Sequence, residues 1–303
     1  MDQIIFDTII IGGGPAGLAA AIYSKRSANT VKLLEKGAPG GKLNLYSKLE
    51  NYPGVTQMTA QDLAYKLYEQ VQALGLEVAY GDVISVKKDN NLFVVESDEG
   101  SLLARAVIVA TGTSEKKLGI PGEEAYIGRG VSYCATCDGA FFKDKDVAVI
   151  GQSNKAVEES FFLATLVKHV YIVSRGPRLQ ANPETLEKLK DYPNIIHVPN
   201  AVPYQIVGAE TVTGIRLRTD KETLLPVSAV FPFIGSVPNT SFLTFKETLD
   251  PSGYLIVNEN RETAIPGLFG AGDVIAKTLR QIITAASDGA IAAFSANKFI
   301  RKL

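Results

Sequence analysis

Residues 4–11, IIFDTIII, form a nearly unbroken apolar run that gives way at once to GGGPAG and then to the small-residue stretch AGLAAAIYSKRS. This strand, turn and helix constrain the chain more than any other passage. An Ile-rich strand with so little polar alternation needs cover on both faces, as in a parallel sheet, and the helix after it is the crossover that returns the chain to a parallel neighbour. That neighbour is VKLLEK, whose strand closes at Glu35. The pattern restarts with DVAVI at 146–150, a glycine turn, KAVEESFFLATLV and HVYIV. Two such starts in 303 residues imply two domains, and 46% hydrophobic residues can fill a core in each.

The expected fold class is therefore α/β, with two Rossmann-like dinucleotide-binding domains of three-layer ββα build and the second inserted into the first. Residues 61–74 set Leu63, Leu67, Val71 and Leu74 on one helical face. Between 77 and 110, short β-rich runs separated by Asp89-Asn90-Asn91 and Glu99-Gly100 read as an antiparallel meander leading into the strand AVIVATG. A further helix is expected near 183–192. IPGLFGAGDV reads as a short strand and turn before a last helix starting near Arg280, the whole folding back onto the first domain.

Thirty-one Lys+Arg against 32 Asp+Glu leave a formal charge of −1, without the basic excess that nucleic acid or an anionic membrane surface demands. MDQIIFDTIII lacks the basic start of a signal peptide, and no apolar run reaches the roughly 18 residues of a membrane span, so a soluble cytoplasmic protein is expected. The two cysteines, Cys134 and Cys137, exclude a multi-disulfide framework. Zinc would need two more ligands, and His169 and His197 have no ligand-like spacing. A redox pair is the expected role, with two reduced thiols packing as small apolar groups as the alternative.

In GGGPAG, Gly12 makes the tight turn, Gly14 lets backbone approach a pyrophosphate, and Gly17 lets helix pack on strand, with Pro15 and Ala16 opening a helix whose N-terminus attracts phosphate. Glu35 can accept hydrogen bonds from ribose hydroxyls and repels a 2′-phosphate. ATGT at 110–113, with Thr111 and Gly112, and GAGDV at 270–274, with Gly272, add two more glycine turns at strand ends. Asp273 could hold the ribityl or phosphate portion of a longer cofactor.

YCATCDGAFF separates its cysteines by one helical turn, so their sulfurs can close a small ring if a helix starts there. The helix dipole would then favour thiolate, which a thiol of ordinary pKa near 8.5 largely lacks at neutral pH (about 8.5 in model peptides). Asp138 is next in line to shuttle a proton. Together with GGGPAG, ENYPG, ATGT, GIPGEE, VAVIG, AVEES, IGSVPNT, GAGDV and RQIITAA, the CATCDG segment resembles the low-molecular-weight flavoprotein thioredoxin reductases over nearly the whole chain.

That resemblance implies FAD in a domain made of residues 1–114 and 245–303, and a central domain of 115–244 carrying the dithiol. Gly41 and Lys42 in GGK, and Asn51 in ENYPG, are similar to the segment the family wraps around the flavin, where GGQ is more frequent than GGK. Val83, Thr111, Gly272, Asp273, Arg280, Gln281 and Ile282 match its flavin-contact positions. Cys137 would face the flavin, Cys134 would attack the substrate disulfide, and Asp138 would protonate the leaving thiolate. Thioredoxin is the implied substrate, a homodimer the implied assembly, and 114–119 with 240–246 the implied hinges between domains.

The second glycine turn departs from the family. Gly151-Gln152-Ser153-Asn154-Lys155-Ala156 sets a hydroxymethyl group where bare backbone should meet pyrophosphate, and Ser174-Arg175-Gly176-Pro177-Arg178-Leu179-Gln180 keeps one aligned arginine of the family's HRRxxxR. Two lost charge-assisted contacts of about 1.5–3 kcal/mol each weaken NADPH binding by about two to four orders of magnitude. The expectation is a branch resembling ferredoxin-dependent flavin thioredoxin reductases, taking electrons from reduced ferredoxin or flavodoxin. NADPH, with Arg178 helping Arg175 on the 2′-phosphate, is the alternative. An oxygen-using dithiol oxidase and a non-catalytic flavin redox sensor are the further readings.

Overall fold

A computed structural model describes residues 4–45, 49, 51–56 and 58–303; the first three residues of the MDQIIFDTIII stretch lie outside it. The chain forms two units, one of residues 1–114 with 237–303 and the other of residues 115–236.

The first unit contains β1 (Ile5–Ile11), α1 (Pro15–Arg26), β2 (Val31–Glu35), α2 (Ala60–Ala73), β3 (Val78–Tyr80), β4 (Val83–Asp89), β5 (Leu92–Ser97) and β6 (Gly100–Val109). The strand β7 (Thr113–Glu115) leads out of it. In the second unit lie α3 (Ala135–Asp138), β8 (Asp146–Ile150), α4 (Asn154–Ala164), β9 (His169–Val173), α5 (Pro183–Lys188), β10 (Ile195–Val198), β11 (Val202–Gly208), β12 (Val212–Arg218), β13 (Glu222–Leu225) and β14 (Ala229–Pro232). The strand β15 (Ser236–Pro238) returns to the first unit, which closes with β16 (Leu268–Gly270) and α6 (Ile282–Ile300).

The sheet of the first unit runs β3-β2-β1-β6-β5-β4, with β16 also on β6. Its β1, β2, β3, β6 and β16 pair in parallel, and β4, β5 and the start of β6 form the antiparallel meander. The physical reason for the apolar run is visible in β1. Ile10 joins Leu33, Ile108 and residues of α1 and α6 in one core, while Ile9 and Ile11 join Leu34, Val107 and the meander in another. Alternate side chains thus enter different cores, and neither face tolerates polarity. α2 starts where Thr59 accepts from the Asp62 amide and the Asp62 carboxylate accepts from the Thr59 amide, a reciprocal cap that fixes its first turn.

The second unit repeats the scheme. A parallel sheet β10-β9-β8-β14 puts Val147 and Val149 against α4, and Ala148 and Ile150 against the antiparallel sheet β11-β12-β13. The two segments that cross between units, β7 and β15, pair as a two-stranded ribbon.

One boundary differs from the sequence reading. The second crossing lies at 236/237 rather than 244/245, because residues 239–244 are bound into the first unit: Val86 N–H donates to Phe242 O at 3.2 Å, and Leu243 is buried in its core. The expected hinge at 240–246 is therefore part of that core. The last helix begins at Ile282, with Gln281 as its cap, two residues after Arg280.

Candidate active site: a dinucleotide cradle and a dithiol turn

The first glycine turn is shaped by its neighbours. Gly12 has φ +104° and packs so closely on Ala110 that a Cβ would stand 2.4 Å from its carbonyl oxygen; at Gly17 a Cβ would stand 1.8 Å from Gly12 O. These two glycines are demanded by the protein's own backbone. Gly14 is different: as the cap of α1 it has φ −75° and ψ −175°, and a Cβ there meets nothing within 4 Å. The space is kept clear at the mouth of a helix, where phosphate binds best.

Beside it, Gly13 N–H donates to Glu35 Oε2 at 2.5 Å and Gly37 N–H to Glu35 Oε1 at 2.8 Å, which fixes the carboxylate at the end of β2. Glu35, Gly12, Val83 and Thr111 line a cavity of about 330 Å³. Thr111 and Gly112 are held by Asn239: Thr111 Oγ1 donates to Asn239 O at 2.6 Å, Asn239 Nδ2 to Thr111 O at 2.9 Å, and Asn239 N–H to Gly112 O at 3.0 Å.

Gly41 lies against Gly14, its Cβ position 3.2 Å from Gly14 Cα, and Gly40 N–H donates to Gly13 O at 2.8 Å. Lys42 Nζ reaches Thr113 Oγ1 at 2.8 Å, so the lysine that replaces the usual glutamine ties this segment to the ATGT turn. Asn51 Nδ2 donates to Gln281 Oε1 at 3.0 Å, and Ile282 packs on the cluster around Leu43 and Leu63. Glu50, the first residue of ENYPG, lies outside the described residues.

In the GAGDV turn, Gly272 approaches Ala16 so closely that a Cβ would stand 2.7 Å from the alanine Cβ. Asp273 Oδ1 is buried without a hydrogen bond. Arg280 supports the turn by donating to Asp273 O and Ile275 O, both at 3.3 Å, with its guanidinium 4.2 Å from the centre of the Tyr254 ring. An open phosphate cradle, a fixed carboxylate beside a cavity and a second carboxylate whose buried oxygen makes no hydrogen bond fit FAD. Gly12, Gly14, Pro15, Ala16, Gly17 and the α1 amides would hold its pyrophosphate, Glu35 a ribose, and Asp273 a hydroxyl of its chain.

The dithiol lies in the second unit. Cys134 and Cys137 are joined as a disulfide, with Cys134 half-buried and Cys137 exposed. Cys134 caps α3, and its Sγ accepts from Cys137 N–H at 3.2 Å. α3 is only four residues long, so the expected helix dipole is reduced to this single local donor. Ser132 Oγ accepts from Cys134 N–H at 3.1 Å and braces the turn from the other side. Next to Cys134, Tyr133 donates its hydroxyl to the buried Glu123 at 2.8 Å; Glu123 also accepts from the amides of Leu118, at 2.8 Å, and Gly119, at 2.7 Å. Burial and the Glu123 carboxylate push the Tyr133 hydroxyl above the usual phenol range. Asp138 is half-buried at the end of α3.

At the second glycine turn Ser153 caps α4 with an exposed side chain that makes no cap bond, so its hydroxyl does not occupy the first amides of the helix. Gln180 N–H donates to Gln152 O at 2.6 Å and Gly176 N–H to Gln152 Oε1 at 3.3 Å, folding the 174–180 loop onto the turn. Ser174 is buried and hydrogen-bonded to His197 at 2.8 Å. Arg175 and Arg178 are exposed and make no ion pair among the described residues.

A pyridine nucleotide-disulphide oxidoreductase family model matches residues 6–289. A thioredoxin reductase of Ureaplasma parvum is 40% identical, covering 100% of this chain and 99% of that protein. The solved thioredoxin reductase of Lactococcus lactis superposes with a TM-score of 0.93 at 37% identity, covering 98% of this chain and 100% of that one. The chain belongs to the thioredoxin reductase family. It is a flavoprotein disulfide reductase, and the family uses FAD. A ferredoxin-flavin thioredoxin reductase of Clostridium acetobutylicum also aligns, at 29% identity and a TM-score of 0.57 over 99% of both chains. The ferredoxin-dependent branch expected from the altered motifs is thus the more distant likeness, and that expectation is withdrawn.

Asn239, Glu123 and Lys277 had no local signal. Asn239 acts on a turn 128 positions earlier and Lys277 on a carboxylate of α6, whereas Glu123 reaches the nearby amides of Leu118 and Gly119; of the three, Asn239 and Glu123 fall inside the motif strings IGSVPNT and GIPGEE.

Proposed function

We propose that this chain is an NADPH-dependent thioredoxin reductase, with a variant nucleotide site in its second unit. The observation that carries the proposal is the pairing of the open Gly14 cradle with a CATC disulfide in a chain whose full-length relatives are thioredoxin reductases. NADPH rather than ferredoxin is favoured by the 37–40% identity to enzymes named simply thioredoxin reductase, against 29% to the ferredoxin-flavin enzyme. Locally, the first turn of α4, whose amides take no side-chain cap, suits a pyrophosphate, and the exposed Arg175 and Arg178 suit a 2′-phosphate.

FAD supplies a relay of two electrons from the nicotinamide to the disulfide. In the reduced protein, the Cys137 amide that points at Cys134 Sγ stabilises the Cys134 thiolate. That thiolate attacks the disulfide of thioredoxin, forming a mixed disulfide and releasing one thioredoxin thiolate, which Asp138 protonates. Cys137 then attacks the Cys134 sulfur, which frees the second thioredoxin thiol and restores the Cys134–Cys137 bond. Each cycle moves two electrons out of the dithiol, and none is left unassigned. The working protein is a homodimer in this reading.

Anaerobic titration of the yellow protein, followed by flavin absorbance, tests the donor. Stoichiometric bleaching by NADPH at micromolar concentration, with thioredoxin reduced on turnover, is the expected result. Bleaching by reduced ferredoxin while NADPH leaves the spectrum unchanged refutes it.

A further inference from the structure

The GAGDV turn sits on a buried ionic network that the proposed chemistry leaves unused. Asp288, on α6, has a side chain 4% exposed. Its Oδ1 accepts from Arg261 Nε at 2.8 Å, and its Oδ2 from Lys277 Nζ at 2.8 Å and Gly272 N–H at 3.2 Å. Lys277, 14% exposed, also lies 3.5 Å from Asp273 Oδ1 and donates to Thr284 Oγ1 at 3.4 Å. A buried carboxylate requires a partner, and Arg261 already provides one for Asp288. The second cation balances a second carboxylate: with Lys277 shared, two positive charges face two negative ones.

We propose that Lys277 is a positioning residue for the dinucleotide site. Anchored by Asp288, it orients the Asp273 carboxylate, so that Asp273 serves as a hydrogen-bond acceptor for FAD. Two observations join the network to that site. Asp273 Oδ1 is buried and makes no hydrogen bond, and the preceding residue, Gly272, is seated on Ala16 in the first turn of α1. Thr284, in the first turn of α6, also bonds the amide of Gln281, so the same lysine touches the cap of the helix that follows the turn. The inference rests on FAD occupying the first unit.

The test is the dissociation constant of FAD from the holoprotein, measured by equilibrium ultrafiltration with flavin absorbance. Lys277→Met is expected to weaken binding by about tenfold or more, the usual size of one lost charge-assisted hydrogen bond. Arg261→Met breaks the same Asp288 network without touching Asp273, and is expected to stay within about threefold of wild type while still costing stability. Because Lys277 acts through Asp273, Asp273→Asn/Lys277→Met is expected to bind no more than about threefold more weakly than Asp273→Asn alone. Lys277→Gln, which keeps a donor for Asp288 and loses the charge, gives the same reading if Lys277→Met does not fold. Equal losses in R261M and K277M, an unchanged constant in K277M, or multiplying effects in the double variant overturn the inference. Wild-type protein that retains no FAD overturns the flavin assignment itself, a failure distinct from the other three.

Discussion

Replacing Gly14 with alanine separates what the fold needs from what a ligand needs. At φ −75° and ψ −175° any L-residue is at ease, and the new Cβ touches no protein atom within 4 Å. Flavin-free Gly14→Ala is therefore expected to be stabilised by about 0.4–1 kcal/mol, since alanine narrows the unfolded ensemble. The same methyl stands where a pyrophosphate approaches the α1 amides. Displacing one charge-assisted hydrogen bond of about 1.5–3 kcal/mol weakens FAD by about 10- to 100-fold. Gly17→Ala is the control, because its Cβ would lie 1.8 Å from Gly12 O and the turn must break to admit it. Urea unfolding of the flavin-free proteins and FAD binding by ultrafiltration give the two numbers. Gly14→Ala that unfolds at lower urea than wild type, or that binds FAD equally well, refutes the reading of this turn as a cradle held open for phosphate.

Cys137→Ser is expected to accumulate a mixed disulfide with thioredoxin through Cys134, visible on non-reducing gels, whereas Cys134→Ser accumulates none; the opposite pattern reverses the assigned roles. Arg175→Ala and Arg178→Ala are each expected to raise KM for NADPH by about tenfold with kcat unchanged, and to leave KM for NADH alone. Tyr133, held above the phenol range by burial and by Glu123, binds its proton more tightly folded than unfolded. Its contribution to stability is whole below its unfolded value of about 10 and declines as pH rises beyond it, so urea midpoints taken from about pH 9 to 11 should fall less steeply in Tyr133→Phe.

The sequence carries the sheet cores and the dithiol legibly, because both are local. Alternation of Ile9, Ile10 and Ile11 into two cores is written in one continuous apolar run, and the disulfide joins residues three apart. What it hides is distant pairing. Asn239 binds a turn 128 positions earlier, and Lys277 shares Asp288 only because α6 folds across the glycine turn. The crossing at 236/237 is obscured for the same reason, since nothing in the string reveals that Val86 N–H donates to Phe242 O. The altered arginine motif points away from NADPH, while the chain as a whole is more similar to enzymes named simply thioredoxin reductase than to the ferredoxin-flavin enzyme. Ser153 is a larger residue at the expected spot, yet its hydroxyl stays clear of the helix amides.

The ribbon of β7 and β15 makes the dithiol half of the molecule a cassette. Its entry and exit are neighbouring strands, which lie about 4.8 Å apart in any sheet, so a short loop joining Ser114 to Val237 closes the gap left by removing it. The remaining chain retains every strand of the seven-stranded sheet and both glycine turns of the cradle, and is expected to let flavin affinity be engineered free of thiol chemistry.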